Sequence, residues 1–283
     1  MQKIKLIECP RDAMQGWKTF IPTETKIKYI NKLLEVGFDT LDFGSFVSPK
    51  AIPQLADTKY VLQKIKMTNT KLLAIVANNR GAEEAVSFDE ISYIGFPFSI
   101  SETFQQLNTN SSIAESLQSV EAIQQLCVQH KKELVIYISM GFGNPYGDAY
   151  TSDIAIEWVE KLQQLGIHIF SMSDTVGVSN ADNIQTIFSD LVKRFPTIEF
   201  GAHFHSTKET AVDKIEAAFQ NNCFRFDSAM NGIGGCPMAQ NELVGNIATE
   251  QLLAYFESIG IDFHLNQTAL EEAMQMAGEV FSV

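Results

Sequence analysis

The sequence contains few cysteines, no long apolar run and no N-terminal targeting segment. Its 283 residues include four cysteines, none of them in a C-x-x-C pair, which excludes a disulfide-rich scaffold and a zinc site of paired cysteines. No apolar stretch is long enough to span a bilayer, and neither an apolar signal core nor an Arg-rich transit peptide follows Met1. We therefore expect a cytoplasmic protein that has no membrane partner.

Basic residues are also scarce. Lysine and arginine number 21 against 34 aspartates and glutamates, so the formal net charge is -13 and the pI is about 4.8. The field of such a chain repels a phosphate backbone, and no cluster of Lys and Arg interleaved with aromatic residues counters that field locally. We expect no nucleic-acid partner, and an acidic substrate must be held by a local cation or by a bound metal.

Short apolar runs alternate with longer amphipathic stretches along the whole chain. We predict eight strands, near residues 4–9, 38–43, 71–76, 92–99, 132–140, 168–174, 199–205 and 225–230. We predict eight helices, near residues 24–36, 55–66, 81–86, 112–130, 152–165, 181–194, 208–220 and 242–258. Two local signals support the helices: Ser112 and Glu115 fit a capping box, and Gly166 stands where a helix should stop.

Eight alternating strand and helix units indicate parallel strands that close into a barrel. A composition of 45% hydrophobic and 19% charged residues is typical of a globular protein, and no break in composition marks a linker. No G-x-G-x-x-G follows the first strand, which argues against an open dinucleotide-binding sheet. We predict an α/β protein with one domain over residues 1–283, a (β/α)8 TIM barrel with a C-terminal helical tail at residues 264–283.

Two histidines stand two residues apart where the seventh predicted strand ends. His203 and His205 therefore point to the same side of the strand, and both imidazoles can face one ion at the mouth of the barrel. Asp12 follows the first strand and can add a carboxylate oxygen, and Asn246 can add an amide oxygen. This oxygen-rich set without thiolates suits Mg2+ or Mn2+.

Each of these residues also has a simpler interpretation. The two histidines can be a pair of hydrogen-bonded polar side chains at a strand end. Asp12 can be the ion-pair partner of Arg11, and Asn246 can be a helix cap.

A glycine-rich segment after the eighth strand carries a cysteine. In Gly232-Ile233-Gly234-Gly235-Cys236-Pro237 three residues lack a Cβ, so the backbone is free to approach a ligand closely. We expect Cys236 to lie on a mobile loop beside the site. Its simpler interpretation is a small buried hydrophobic residue.

Several segments, taken in order, resemble the 3-hydroxy-3-methylglutaryl-CoA lyases over nearly the whole chain. They are Arg11-Asp12 with Gln15 and Lys18, Ser45-Phe46-Val47-Ser48-Pro49-Lys50, Ser101-Glu102-Thr103-Phe104, Asp174-Thr175-Val176-Gly177, His203-x-His205, the Gly232–Pro237 segment, and Gly245-Asn246-x-Ala248-Thr249-Glu250. Arg-Asp and His-x-His are shared by a wider group of metal-dependent lyases and condensing enzymes on this barrel. The Ser-Phe-Val-Ser-Pro-Lys segment and the Gly-Gly-Cys-Pro loop narrow the resemblance to the lyases.

The resemblance implies cleavage of 3-hydroxy-3-methylglutaryl-CoA to acetyl-CoA and acetoacetate. The implied metal ligands are Asp12, His203, His205 and Asn246, and the implied substrate-binding residues are Arg11, Gln15, Lys18, Ser45 and Thr175. Arg11 would stabilise the oxygen of the acetyl-CoA enolate, and Cys236 would protonate the enolate carbon. Asp42 or His203 would move the hydroxyl proton. An acyl-CoA substrate, a homodimer, and a role in leucine degradation or ketone-body formation are further expectations.

Four features depart from the lyase pattern. Residues 206–210 read Ser-Thr-Lys-Glu-Thr where Asp-Thr-x-Gly-Gln is usual, so a partner of the metal ligands could have been replaced. Asp42 stands where Glu is typical, Met238 replaces a Tyr, and the stretch from Cys236 to Asn246 is one residue longer. Two alternatives therefore stay open: a related lyase or aldolase for another hydroxy acid or acyl-CoA, and a non-catalytic acyl-CoA-binding protein.

Overall fold

Eight parallel strands close into a barrel in the computed structural model, which describes residues 3–235 and 244–282. The strands are β1 (Lys5–Glu8), β2 (Thr40–Ser45), β3 (Lys71–Ile75), β4 (Ile91–Ser99), β5 (Glu133–Ser139), β6 (Ile169–Asp174), β7 (Glu199–Ser206) and β8 (Arg225–Ser228). Each strand pairs in parallel with the next one, and β1 pairs with β8, which leaves no open edge. The predicted (β/α)8 TIM barrel is confirmed.

A short ninth strand, β9 (Gly245–Asn246), was not predicted and pairs antiparallel with the end of β7. In this register Asn246 lies opposite His205, and Gly245 lies opposite Ser206. The pairing brings a segment that follows the barrel strands back to its carboxyl rim. It therefore places Asn246 beside the histidine pair.

Eleven α-helices lie in the described residues. They are α1 (Pro10–Gln15), α2 (Thr23–Val36), α3 (Thr58–Lys64), α4 (Asn79–Val86), α5 (Glu102–Thr109), α6 (Ile113–Gln129), α7 (Ser152–Gln163), α8 (Ala181–Arg194), α9 (Ala211–Gln220), α10 (Thr249–Ser258) and α11 (Gln267–Val280). The eight predicted helices correspond to α2, α3, α4, α6, α7, α8, α9 and α10. The helix predicted from residue 242 begins at Thr249, and residues 242–243 lie outside the described part.

Three helices are additional to the eight. Pro10 starts α1 directly after β1, where its fixed φ and missing N–H suit a first helical turn. Ser101 caps α5 by accepting a hydrogen bond from the Phe104 amide. The predicted tail is α11, which packs against α2 and is followed by Phe281, whose ring contacts those of Trp17 and Tyr29.

Two apolar clusters stabilise this arrangement. The larger one fills the layer between the strands and the surrounding helices. The smaller one lies on the strands alone and contains Leu73, Ile75, Tyr93, Val135, Tyr137 and Ile169. Alternate strand residues point to the barrel axis, so this second cluster packs one side of the interior and leaves the other side to polar residues. No described helix combines the length and the apolar character that crossing a membrane requires.

Candidate active site

The two histidines meet the carboxylate of Asp12 at the carboxyl end of the barrel. His203 and His205 point from β7 to the same side, and their ring centroids lie 5.4 Å apart. One potential ligand atom from each histidine and one from Asp12 lie within 4.8 Å of one another. All three residues are buried. The predicted convergence of these three side chains is present in the structure.

Hydrogen bonds fix the orientation of both imidazole rings. His203 Nδ1 lies 3.1 Å from Asp227 Oδ2, and His205 Nδ1 lies 2.9 Å from the backbone oxygen of Thr175. A ring nitrogen that faces an oxygen acceptor carries the proton, which leaves the lone pair on Nε2. His205 Nε2 is buried and finds no hydrogen-bond partner among the described residues. Such an unsatisfied atom beside a carboxylate fits a site for a cation.

The electrostatics of Asp12 and His205 also fit a divalent metal. Burial raises the pKa of Asp12, but Arg11 and the two histidines outweigh it and bring this pKa to about 2. Burial lowers the pKa of His205, and neighbouring His203 lowers it further. Burial also lowers the pKa of His203, but the hydrogen bond that its Nδ1–H donates to Asp227, together with the charge of that carboxylate, outweighs burial and raises this pKa. An ionised carboxylate and a neutral imidazole are the forms that bind metals.

Asn246 lies beside Asp12 but presents its amide nitrogen to it. Asn246 Nδ2 donates to Asp12 Oδ2 at 2.7 Å and to the backbone oxygen of Ile233 at 2.9 Å. The residue before α10 is Ala248, so the alternative of a helix cap is wrong. Gly234 has a φ of +116°, and a Cβ there would collide with the Asn246 amide, so this close packing requires glycine.

Arg11 lies on α1 at the centre of a buried polar network. Its Nε donates to Asp42 Oδ2 at 3.0 Å, and its Nη2 donates to the same oxygen. Its Nη1 donates to Asp12 Oδ1 at 2.9 Å and to Gln15 Oε1 at 3.0 Å. Asp12 is thus both the ion-pair partner of Arg11 and a member of the histidine cluster. A guanidinium has five N–H groups, so the described residues leave one, on Nη2, for a ligand.

Asp42 lies behind Arg11 and is fully buried. Burial raises its pKa to about 6, although the Arg11 charge and hydrogen bonds act in the opposite direction. Asp42 does not line the cavity described next. Its contacts therefore orient the guanidinium.

A cavity of about 400 Å3 opens above these residues. Its polar floor includes Arg11, Asp12, Gln15, Ser139, Ser173, Thr175, His203 and His205, and its apolar wall includes Val47, Ile52, Phe104 and Leu107. Thr175 Oγ1 accepts a hydrogen bond from the Met140 amide. A few polar groups that converge beneath an apolar wall are typical of a small-molecule site.

Among the described residues, Ser45 and Lys18 are predicted substrate-binding residues that do not line this cavity. The Ser45 hydroxyl lies 3.3 Å from the Ile75 backbone oxygen and accepts from the Val47 amide at 3.2 Å. Lys18 is exposed beyond the end of α1. Their substrate-binding roles stay predictions. Cys236 lies outside the described residues, as do Met238 and the rest of the stretch 236–243.

Two polar residues that support the site were not predicted. Asp227, on β8, contacts His203, and its inward-facing place on a predicted strand is a signal that could have identified it. Lys214, on α9, is buried and donates to Asp174 Oδ2 at 2.7 Å and to the His205 backbone oxygen at 2.9 Å. No sequence pattern identifies Lys214. Both histidines thus find partners outside residues 206–210, and the altered sequence there does not remove them.

The chain is similar to known proteins along nearly its whole length. A family model described as HMGL-like matches residues 3–277. The mitochondrial hydroxymethylglutaryl-CoA lyase of Rattus norvegicus is 33% identical over 276 residues, which cover 96% of this chain and 84% of that protein. The 3-hydroxy-3-isohexenylglutaryl-CoA/hydroxy-methylglutaryl-CoA lyase of Pseudomonas aeruginosa is 33% identical over 277 residues, which cover 97% of this chain and 91% of that protein.

Solved structures agree with these sequence relatives. The HMG-CoA lyase of Bacillus subtilis superimposes with a TM-score of 0.92 at 32% identity and covers 100% of this chain and 95% of its own. An HMG-CoA lyase of Acinetobacter baumannii in complex with coenzyme A and 3-methylmalate gives a TM-score of 0.91 at 30% identity, covering 99% and 92%.

Proposed function

The chain belongs to the HMGL-like family and is a lyase, and we propose that it cleaves 3-hydroxy-3-methylglutaryl-CoA to acetyl-CoA and acetoacetate with Mg2+ or Mn2+. The observation that carries the proposal is the convergence of Asp12, His203 and His205 on the cavity floor beside Arg11. The relative from Acinetobacter baumannii, solved with coenzyme A and 3-methylmalate, supports an acyl-CoA substrate.

We propose that Asp12, His203 and His205 hold the metal, and that Asn246 completes the set through its amide oxygen. A bound divalent ion supplies Lewis-acid chemistry, because it orients a hydroxyl and a carboxylate of the substrate and lowers the pKa of the hydroxyl. In the structure the side-chain amide of Asn246 donates a hydrogen bond to Asp12. That contact holds the carboxylate in place.

Arg11 is the group that we assign to the developing enolate. Cleavage sends electrons toward the thioester, whose oxygen gains negative charge mainly in the transition state. The carboxylates of Asp42 and Asp12 raise the pKa of Arg11, so its charge is permanent despite burial. Four of its N–H groups are held by Asp42, Asp12 and Gln15, and the remaining one on Nη2 can donate to that oxygen.

We propose separate roles for His203 and Asp42. With Nδ1 bonded to Asp227, His203 has only Nε2 to offer, and one nitrogen cannot ligate an ion and accept a proton together. We assign His203 to the ligand set. We assign Asp42 to the positioning of Arg11, because it contacts Arg11 and does not line the cavity. Cys236 keeps its proposed role as the acid that protonates the enolate carbon, and the proton that the substrate hydroxyl gives up returns to the Cys236 thiolate, so that the overall reaction neither gains nor loses a proton.

Several finer features complete the proposal. We propose one catalytic domain over residues 1–283, a cytoplasmic homodimer, and binding of the substrate by Arg11, Gln15, Lys18, Ser45 and Thr175. Acetyl-CoA and acetoacetate as products would fit leucine degradation or ketone-body formation.

A second candidate substrate has a longer branch at C3. The Pseudomonas aeruginosa relative is named for 3-hydroxy-3-isohexenylglutaryl-CoA as well as for the methyl compound. The apolar wall of Val47, Ile52, Phe104 and Leu107 offers a surface for such a branch.

Product analysis tests the assignment. Incubation of the protein with 3-hydroxy-3-methylglutaryl-CoA and Mg2+ should yield equal amounts of acetyl-CoA and acetoacetate, measured by mass spectrometry. A protein that binds the metal but yields neither product would reject this substrate. The isohexenyl compound, assayed in parallel, then distinguishes the second candidate from loss of catalysis.

A further inference from the structure

Asp227 is a buried carboxylate directly behind the histidine cluster. It lies on β8 with 3% of its surface exposed, and its Oδ2 is 3.1 Å from His203 Nδ1 and 3.5 Å from the Ser171 hydroxyl. Its Oδ1 has no hydrogen-bond partner among the described residues. Burying a carboxylate in this position costs folding free energy unless an opposite charge or hydrogen-bond donors compensate for it.

A buried arginine balances this charge from beneath. Arg225 precedes Asp227 by two residues, points to the same side of β8 and is fully buried. Its Nη1 pairs with Glu199 at 3.3 Å, while Nε and Nη2 find no hydrogen-bond partner among the described residues, and the guanidinium lies 5.5 Å from the centre of the Tyr93 ring. The opposite charges of Arg225 and Asp227 interact in the barrel interior. Arg225 therefore places a positive charge on the same side of β8 as Asp227, beneath His203.

We propose that Asp227 is the positioning residue of His203, which it holds with the proton on Nδ1 and the lone pair of Nε2 directed into the metal set. The inference rests on the proposed function, because it assumes that His203 is a ligand. Carboxylates that accept the second N–H of a metal-binding histidine fix the tautomer and ring orientation, and their loss weakens metal affinity. The ring of Tyr137, which contacts His203 edge-on at 5.5 Å, limits rotation from another side.

Cys9 offers a rival interpretation. One potential ligand atom each from Cys9, His203 and Asp227 also lie within 4.8 Å of one another, so Asp227 could itself bind an ion there. The Cys9 thiol instead donates to the backbone oxygen of Ile7 at 3.7 Å. The contact between Asp227 and His203 Nδ1 is direct, which favours the positioning role.

The proposal is tested by measuring Mn2+ affinity with isothermal titration calorimetry. The three proteins are wild type, Asp227→Asn and Glu199→Gln, each treated with a chelator beforehand. Glu199 is the matched control, because it is a carboxylate on the same face of β7 as His203 but near the opposite end of the barrel. We expect Asp227→Asn to weaken Mn2+ binding by about 10- to 100-fold at unchanged stoichiometry. Glu199→Gln should bind like wild type, and the metal-free melting temperature of Asp227→Asn should show that it is folded.

Two results would overturn the proposal. The first is that Asp227→Asn binds Mn2+ as tightly as wild type does. The second is that wild type binds two Mn2+ ions and Asp227→Asn binds one, which would make Asp227 a ligand. Long-range 1H–15N NMR of Mg2+-loaded wild type adds a readout that needs no variant: the proton should be on His203 Nδ1, and a proton on Nε2 would refute the proposal. A wild type that binds no metal would instead defeat the proposed function.

Discussion

Two buried carboxyl groups near the end of β1, those of Asp12 and Glu8, have pKa values that are shifted in opposite directions by their surroundings. Asp12 faces the cavity, where Arg11, His203 and His205 overcome the effect of burial and bring its pKa to about 2. Glu8 is fully buried and receives only a hydroxyl and a backbone amide, so that burial raises its pKa to about 8. Glu8 forms no ion pair within the described residues.

The contacts of Glu8 indicate a structural role. It accepts from the Met230 amide at 2.9 Å and lies 2.5 Å from the Thr249 hydroxyl, so it joins the segments before and after the glycine-rich stretch. A protonated Glu8 can in turn donate to Thr249, which contacts Ser228 at 2.9 Å. Burial of an acidic residue is therefore not by itself a sign of a site in this protein. The surrounding cations distinguish Asp12 from Glu8.

Replacing the carboxyl groups of Asp12 and Glu8 one at a time should give the largest difference in activity. Asp12→Asn should lower acetoacetate formation by roughly a thousandfold, because loss of a metal ligand removes several kcal/mol of transition-state stabilisation. Glu8→Gln, the matched control at the other carboxyl, should stay within a few-fold of wild type in a steady-state assay. Equal losses in both variants would show that burial, and not the surrounding cations, determines function.

Arg11→Lys asks whether the site needs the guanidinium or only its charge. We expect kcat to fall by about 100-fold, because one ammonium group cannot hold Asp42, Asp12 and Gln15 and also donate to the substrate. Arg194→Lys, the same change on the exposed end of α8, is the control and should leave kcat unchanged. Wild-type kcat in Arg11→Lys would remove Arg11 from the mechanism.

The stability of the protein should depend on pH through Glu8. Its pKa rises on folding from 4.5 to about 8, so the folded chain keeps a proton that the unfolded chain has lost. The stability that this group contributes is complete below pH 4.5, falls by roughly 1.4 kcal/mol per pH unit as the pH rises toward 8, and then levels off.

Urea unfolding of wild type and Glu8→Gln between pH 6.5 and 8 measures this contribution, because the difference between the two proteins removes the effects of Asp42 and His203, whose pKa values are also raised. Glu8→Gln should flatten the dependence and be the more stable protein at pH 8. Glu257→Gln removes an exposed carboxyl on α10, and it should keep the wild-type slope. An unchanged slope in Glu8→Gln would contradict the assignment.

The sequence predicted the fold well because the periodicity of eight strands and eight helices persists along the chain. It missed α1 and α5, which have six and eight residues and are too short for a helical period to be recognised. It also missed β9, because two residues show no alternation. Tertiary pairing with β7 forms that strand.

The candidate site was predictable where a local pattern carries the geometry. The two-residue spacing of His203 and His205 fixes their common face, and strand ends bring Asp12 and Arg11 to the same rim. The contacts of Asp227 and Lys214 depend on how distant strands and helices are aligned in three dimensions. The sequence also could not show that Ser45 and Lys18 lie away from the cavity floor. The Ser45 hydroxyl is hydrogen-bonded to backbone atoms, and Lys18 lies exposed beyond the end of α1.

Metal removal and return test the central claim, that the cluster of Asp12, His203 and His205 makes the cavity catalytic. The protein is treated with a chelator, dialysed, and assayed for acetoacetate from 3-hydroxy-3-methylglutaryl-CoA before and after Mg2+ is added back. We predict that activity disappears on chelation and returns with Mg2+ in wild type and Glu8→Gln, but not in Asp12→Asn. Full activity in metal-free wild type would contradict the account.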